Sequence, residues 1–393
     1  MFPRSAGIKY IKLQHTIALI SFLSFILCLK DQSLTTTLSP ITASVILTTT
    51  SENNELPPPD SGQPRDSQWT LLDDGTVTHT GESIITRNYS FAINNYQQCS
   101  TLITNKTSFV VIIESFIENF QKRQLIRETW ALNILQNFAN YRVFFMIGLT
   151  PNSDVQQKLE YENMMYEDIV QINIYEDFKN LTYKSINMLY WYIKYCSQAK
   201  ILFKTDDDIY LHTPNMIPLF AQVSTNSNNL ICHKNKSRKI LRILKDIRNF
   251  VHNVKNIDSQ EITEQIKQKF NKYLIDYSIL PGKFYPEYCS GFGYSMNYQV
   301  ASKLFQSSQL IPYIGIEDMF ITGLSRQKAN VEIEDNSQFR LKPLLHPLEG
   351  KCAFESGRIT SNELNLDEMK RMWTNVNSAG YYCKQHRNSQ FIP

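Results

Sequence analysis

Ile201-Leu202-Phe203-Lys204-Thr205-Asp206-Asp207-Asp208 is a short apolar run that ends in three adjacent carboxylates. Bounded as it is, Ala199 to Lys204 reads as a buried strand. Acids at the carboxyl end of such a strand stand where open α/β sheets bind their ligands. Strand alternation sends Asp206 and Asp208 to one side. Two carboxylates on one side suit a hard divalent cation that takes its remaining ligands from water and phosphate. A solvated acidic turn is the competing reading.

Upstream, the pattern alternates between short β-rich runs and longer amphipathic stretches. Phe109 to Ile113 reads as a strand and Gln121 to Phe138 as a helix. Tyr141 to Ile147 is a second strand ended by Gly148, Val155 to Met165 a helix, Asp168 to Ile172 a third strand, and Tyr183 to Cys196 a helix. Strand-helix-strand order implies an α/β fold with a mostly parallel central sheet flanked by helices on both faces.

The first 30 residues point to export. Arg4, Lys9 and Lys12 precede an uncharged apolar run from Thr16 to Leu29, closed by Lys30 and Asp31. The basic flank stays cytoplasmic, so the chain is oriented N-terminus in. A run of 14 residues is short for a span, and a cleaved signal peptide is the rival. Cys28-Leu29-Lys30-Asp31 offers no small-x-small cleavage site, which favours an uncleaved anchor. The expected organisation is a cytoplasmic tail (1–15), a signal-anchor helix (16–29), a stem (30–105) and a lumenal domain (106–393). Between residues 31 and 60, 15 of 30 are Ser, Thr or Pro, too polar to offset the entropy of ordering.

Sequons at Asn88, Asn105, Asn180 and Asn235 agree with export. Six cysteines, Cys99, Cys196, Cys232, Cys289, Cys352 and Cys383, follow the anchor, with their pairing left open by the spacing. The formal charge of +3 argues against nucleic acid as a partner. Residues 230–272 nevertheless carry 11 Lys+Arg against 4 Asp+Glu, with Ile240, Leu241, Ile243, Leu244 and Ile247 at helical spacing. That segment reads as an amphipathic helix with a basic outer face.

Several ordered blocks carry a family resemblance. Arg123-Gln124-Leu125-Ile126-Arg127-Glu128-Thr129-Trp130 looks like R-x-x-I-R-x-T-W, and Tyr285-Pro286-Glu287-Tyr288-Cys289-Ser290-Gly291-Phe292-Gly293-Tyr294 like Y-P-x-Y-C-S-G-x-G-Y. Between them stand Asp168 to Gln171, Asp177 to Lys184 and Lys204 to Asp208, and Glu317-Asp318-Met319 follows. The chain resembles the β-1,3-galactosyltransferase family, which takes in β-1,3-N-acetylglucosaminyltransferases and, more distantly, Fringe. The resemblance runs from about 109 to 325 and implies a GT-A-type fold, a type II Golgi membrane protein, a UDP-sugar donor, Mn²⁺ and an inverting transfer to a glycan acceptor on glycoprotein or glycolipid. Galactose is the favoured sugar and N-acetylglucosamine the runner-up.

The resemblance implies a role for each site residue. Asp206 and Asp208 become the metal pair, with Asp206 and Asp207 also on the donor side, and His346 the further metal ligand, against the equal reading of a surface-loop His before Pro347. Asp318 becomes the catalytic base, Glu317 its alternative, and a helix N-cap the competing reading of Asp318. Arg123 and Arg127, four apart on one helical face, become donor-binding, against the plainer reading of an ion pair. Ser290, Gly291 and Gly293 would let backbone approach the sugar, unless they merely turn the chain. Lys272-Tyr273-Leu274 stands in the block before Y-P-x-Y where the family usually has a Trp, a departure that bears on sugar and acceptor specificity. A lumenal glycan-binding protein without catalysis is the second reading. A glycosidase would also use two carboxylates but has no need of the acidic triplet.

Overall fold

A computed structural model describes residues 69–71, 77–79, 89–102, 108–132, 140–224, 226–242, 272–340 and 347–378. The expected tail, anchor and most of the stem lie outside these residues. Among the described residues, no helix is long and apolar enough to cross a membrane.

β1 (Trp69–Leu71) and β2 (Val77–His79) form a small antiparallel pair. The main sheet has eight strands. In chain order they are β3 (Phe91–Asn94), β4 (Phe109–Glu114), β5 (Tyr141–Leu149), β6 (Ile169–Tyr175), β7 (Ile201–Asp206), β9 (Asn229–Asn235), β10 (Tyr288–Asn297) and β11 (Glu332–Asp335). The spatial order is β11-β9-β10-β7-β4-β5-β6-β3. β4, β5, β6 and β7 are mutually parallel, β9 and β11 share their direction, and only β3 and β10 oppose them. This is the mostly parallel α/β sheet expected from the strand-helix alternation.

Both faces of the sheet are covered, which is why its inner strands read as continuous apolar runs rather than alternating ones. Val110, Ile112, Phe144 and Met146 pack with the helices Leu181–Tyr195 and Tyr298–Ser308. Phe109, Val111, Ile113 and Phe145 face the other way, toward Ile126 and Trp130, toward Met216 and Phe220 of helix Thr213–Gln222, and toward Met369 and Met372 of helix Leu366–Asn377. A short pair, β8 (Tyr210–Leu211) with β12 (Thr360–Ser361), holds the C-terminal segment against the chain just past the acidic triplet.

Four expectations are corrected. The helix expected over 121–138 runs Phe120–Glu128 and breaks at Thr129, whose backbone leaves helical geometry before 130–132 turn again; residues 133–139 are outside the described set. Gly148 does not end β5: after an irregularity the pairing with β6 resumes at Leu149 opposite Tyr175, and the Gly148 N–H donates to Glu176 Oε2 at 2.5 Å. The strand expected to stop at Lys204 includes Thr205 and Asp206. Of the basic amphipathic helix, residues 240–242 are not helical, and Ile240 and Leu241 are buried in non-helical backbone; 243–271 are outside the described residues.

Two disulfides close within the described residues. Cys99–Cys196 ties the segment after β3 to the end of a core helix, and Cys232–Cys289 ties β9 to β10.

Candidate active site

Register places the triplet among three strands. Parallel pairing sets Glu114 of β4 opposite Asp206, and antiparallel pairing sets Tyr294 of β10 opposite Lys204. Lys204 is almost fully buried, and its Nζ donates to Asp206 Oδ1 at 2.7 Å, to the Gly291 carbonyl at 3.0 Å and to Glu317 Oε2 at 3.3 Å. Glu114 lies 3.5 Å from the same ammonium, yet burial raises its carboxyl to about 7.

The triplet divides by side. Asp207 turns under β4, where it accepts from Ser115 Oγ (2.8 Å), Asn119 Nδ2 (2.8 Å) and Lys122 Nζ (2.9 Å). Those three donors brace Asp207 against β4. Asp208 has no side-chain donor among the described residues. Burial, then the neighbouring charges of Asp206 and Asp207, raise it to about 6. Its carbonyl accepts from Leu364 N–H at 3.1 Å, which fixes the C-terminal segment beside the triplet.

Glu317 and Asp318 begin the helical turn Glu317–Met319, which widens into a π-type turn over Phe320–Ser325. π-type turns are frequent at functional sites. Glu317 is buried and accepts from Tyr294 Oη at 2.6 Å as well as from Lys204. Asp318 accepts from Met319 N–H (2.8 Å) and Gly291 N–H (3.2 Å). Burial and then the charge of Glu317 raise it to about 7. It is not the N-cap of this turn; that position is Ile316. The half-buried phenol of Tyr273 is pushed up to about 12 by burial and by the charges of Asp318, Glu363 and Asp206. One phenol therefore stands within electrostatic reach of both acidic motifs.

The glycines of β10 differ in purpose. A Cβ on Gly291 would sit 3.4 Å from Asp318 Cβ, whereas one on Gly293 would come within 2.9 Å of the Phe203 ring. Gly293 thus serves the packing of β10 on β7, and Ser290 is likewise turned inward, accepting from Asn235 Nδ2 at 2.7 Å.

Arg123 and Arg127 are drawn into an ion network that is buried rather than on the helix surface. All five N–H groups of Arg123 are taken, by Glu162, by Ser115 Oγ and by the carbonyls of Phe116 and Ile117. Arg127 spans Glu162 (2.7 Å) and Asp168 (2.7 Å). Among the described residues, Arg123 touches the site only through Ser115, which accepts from Arg123 Nη1 (3.2 Å) and donates to Asp207. Lys184, donating to Ser115 O at 3.0 Å and paired with Glu176, supports the same residue. Ser115, Lys184, Lys204, Glu114 and Glu162 escaped the sequence reading. Lys204 follows the apolar run Ile201-Leu202-Phe203, and a lysine in that place is the signal that marks it; Lys184, among Thr182, Tyr183, Ser185 and Asn187, carries no such signal.

Asp206 and Asp208 fit a divalent cation as hard oxygen donors. Lys204 takes only one oxygen of Asp206, whose side chain is 36 % exposed, and Asp208 is raised first by burial and then by like charges that a cation would offset. Among the described residues, no three His, Cys, Asp or Glu side chains gather to hold a metal. Two carboxylates therefore leave coordination to water, phosphate or a further residue, and His346 lies outside the described residues. So do Asn88 and Asn105. Asn180 is half-buried and donates to Tyr175 O at 3.0 Å. Asn235 is buried, its amide spent on Ser290, which sets it apart from an outward-projecting glycan acceptor.

The galactosyltransferase family profile matches residues 121–337. Human lactosylceramide 1,3-N-acetyl-beta-D-glucosaminyltransferase is 26% identical over 306 residues, covering 73% of this chain and 70% of its own. Mouse beta-1,3-galactosyltransferase 1 is 27% identical over 292 residues, covering 74% of this chain and 79% of its own. Among solved structures, the apo form of the bifunctional glycosyltransferase WbbM aligns with a TM-score of 0.32 and 8% identity, over 77% of this chain and 52% of that one.

Proposed function

The chain belongs to the galactosyltransferase family, and from that premise we propose that this glycosyltransferase moves a hexose from a UDP-sugar to a glycan hydroxyl, forming a β1,3 linkage with inversion. Galactose is the first choice of sugar. N-acetylglucosamine is the second, supported by the human relative's name. The expected setting is the Golgi membrane, with the N-terminal segment as a type II anchor and the acceptor carried on a glycoprotein or glycolipid.

One observation carries the reading: Asp206 and Asp318 lie at opposite ends of a single short chain of contacts, Asp206–Lys204–Gly291–Asp318. Asp318, once deprotonated, accepts the proton of the acceptor hydroxyl. The freed oxygen bonds to the anomeric carbon as the bond from that carbon to the diphosphate breaks, its electron pair leaving with UDP. A single displacement inverts the centre and needs no sugar-enzyme bond. Asp206 and Asp208 would hold Mn²⁺, whose chemistry when bound is Lewis-acid neutralisation of the diphosphate. Glu317 accepts from Tyr294 and Lys204, which supports Asp318 over Glu317 as the base.

The test is UDP release from UDP-galactose and UDP-N-acetylglucosamine, with and without Mn²⁺, over β-galactoside, N-acetylgalactosamine and xylose acceptors. Asp208→Ala and Asp318→Asn are expected to lose turnover. Wild-type turnover in both would defeat the assignment.

A further inference from the structure

Lys204 performs none of the steps above, yet both halves of the site are fastened to it. On β7 it precedes Asp206 by two residues, so strand alternation puts both side chains on one side. An ammonium has three donors. Here they go to Asp206 Oδ1 (2.7 Å), to the Gly291 carbonyl (3.0 Å) and to Glu317 Oε2 (3.3 Å). The first is on the side of the leaving group. The other two are on the side of the base: Gly291 turns its N–H to Asp318 Oδ2 at 3.2 Å, and Glu317 is the residue before Asp318.

Stability alone gives little reason for this arrangement. One ammonium faces three carboxylates, Glu114, Asp206 and Glu317, and all but Asp206 are almost wholly out of water. Burying ions costs several kcal/mol each, and an apolar side chain of similar volume is often as stable. Methionine would fill the same space. It would not hold Asp206 at a set distance from Gly291, and a misplacement of about 1 Å at reacting atoms can cost on the order of 100-fold in rate.

We propose that Lys204 is a positioning residue that spans the two halves of the site and fixes Asp206 relative to the Gly291–Asp318 pair. Through it, diphosphate departure and acceptor deprotonation share one geometry. The inference rests on the functional reading given above.

The test uses the full chain with Mn²⁺ and compares wild type, Glu317→Gln, Lys204→Met and the double variant Lys204→Met/Glu317→Gln. The double variant removes the Glu317 charge, one of the three carboxylates that the single one strands, and so reduces the risk of simple misfolding. Three quantities are read: UDP affinity by calorimetry, UDP release with the best acceptor, and UDP release to water alone. Relative to Glu317→Gln, the double variant is expected to keep UDP affinity within about threefold and to lose about 100-fold in acceptor-dependent release, while release to water changes less than about tenfold. A common fall in both rates, a matching loss of UDP affinity, or no change in either rate would overturn the proposal. If wild type releases no UDP from either donor, the functional reading fails first, and it fails without reference to Lys204.

Discussion

Gly291 lies directly beneath Asp318: its N–H donates to Oδ2 at 3.2 Å, and a Cβ there would stand 3.5 Å from the same oxygen. The space fits a methyl group without a clash but puts it against the carboxylate. Gly291→Ala is expected to fold with a stability change within about 0.5 kcal/mol, as for a substitution that breaks no buried contact, and to lose at least about tenfold in turnover. Gly293→Ala should show the opposite profile, since its Cβ would meet the buried Phe203 ring at 2.9 Å; such overpacking costs about 1–3 kcal/mol. Thermal melts beside initial rates separate the two.

Asp318, raised to about 7, is mostly protonated and idle below neutrality. The pH profile of kcat/KM is therefore expected to rise toward a plateau above about pH 7. Asp318→Asn should remove that limb and lower turnover by about 10²–10⁴-fold, the usual worth of a general base.

The same titrations bear on stability. Asp318 and Glu114 are both raised to about 7, so the folded chain holds protons that the unfolded chain releases near pH 4. Their contribution is fully present below the unfolded values and is lost as pH climbs through 7. In chelator, the melting temperature is expected to fall between pH 5 and 7.5. Glu114→Gln, which mimics the protonated form, should flatten the fall; a melting temperature independent of pH in wild type would contradict both assignments.

Mn²⁺ is expected to raise the melting temperature in a dose-dependent way, by the equivalent of about 2.7 kcal/mol at 100 times its dissociation constant. The effect should weaken below about pH 6, where Asp208 takes up its proton, and vanish in Asp208→Asn. Differential scanning fluorimetry over a manganese series at two pH values would read this.

Arg123→Met should cost about 3–5 kcal/mol, because it leaves Glu162 buried without its main partner. At temperatures where the variant is folded, UDP affinity by calorimetry should match wild type. A loss of UDP binding with unchanged stability would return Arg123 to the donor pocket.

The central strands were legible because β4, β5 and β7 are covered on both faces and so spell themselves as apolar runs. β10 was not: Tyr288–Asn297 carries Gly291 and Gly293, which weaken strand propensity, and both glycines answer to neighbours in space, Asp318 and Phe203. The acidic motifs were legible as candidates, since carboxylates at a strand end and at a helix start are local patterns. Their supports were not. Ser115 matters because β4 runs beside β7, and Glu162 because a helix 39 residues on closes over Arg123. The Arg123 and Arg127 spacing correctly put both side chains on one helical face, but spacing cannot tell whether that face meets solvent, a phosphate or Glu162.

The reversed direction of β10 has a consequence for how such a protein can diversify. Because β10 opposes β7, its opening residues are laid beside the closing residues of β7, and Gly291 reaches Lys204 across 87 positions of sequence. Everything in that excursion leaves and returns at two pinned points. Between Asn235 and Tyr288, where β9 and β10 pair and Cys232–Cys289 ties them together, the connection can change in length and composition while Lys204 and Gly291 stay in contact.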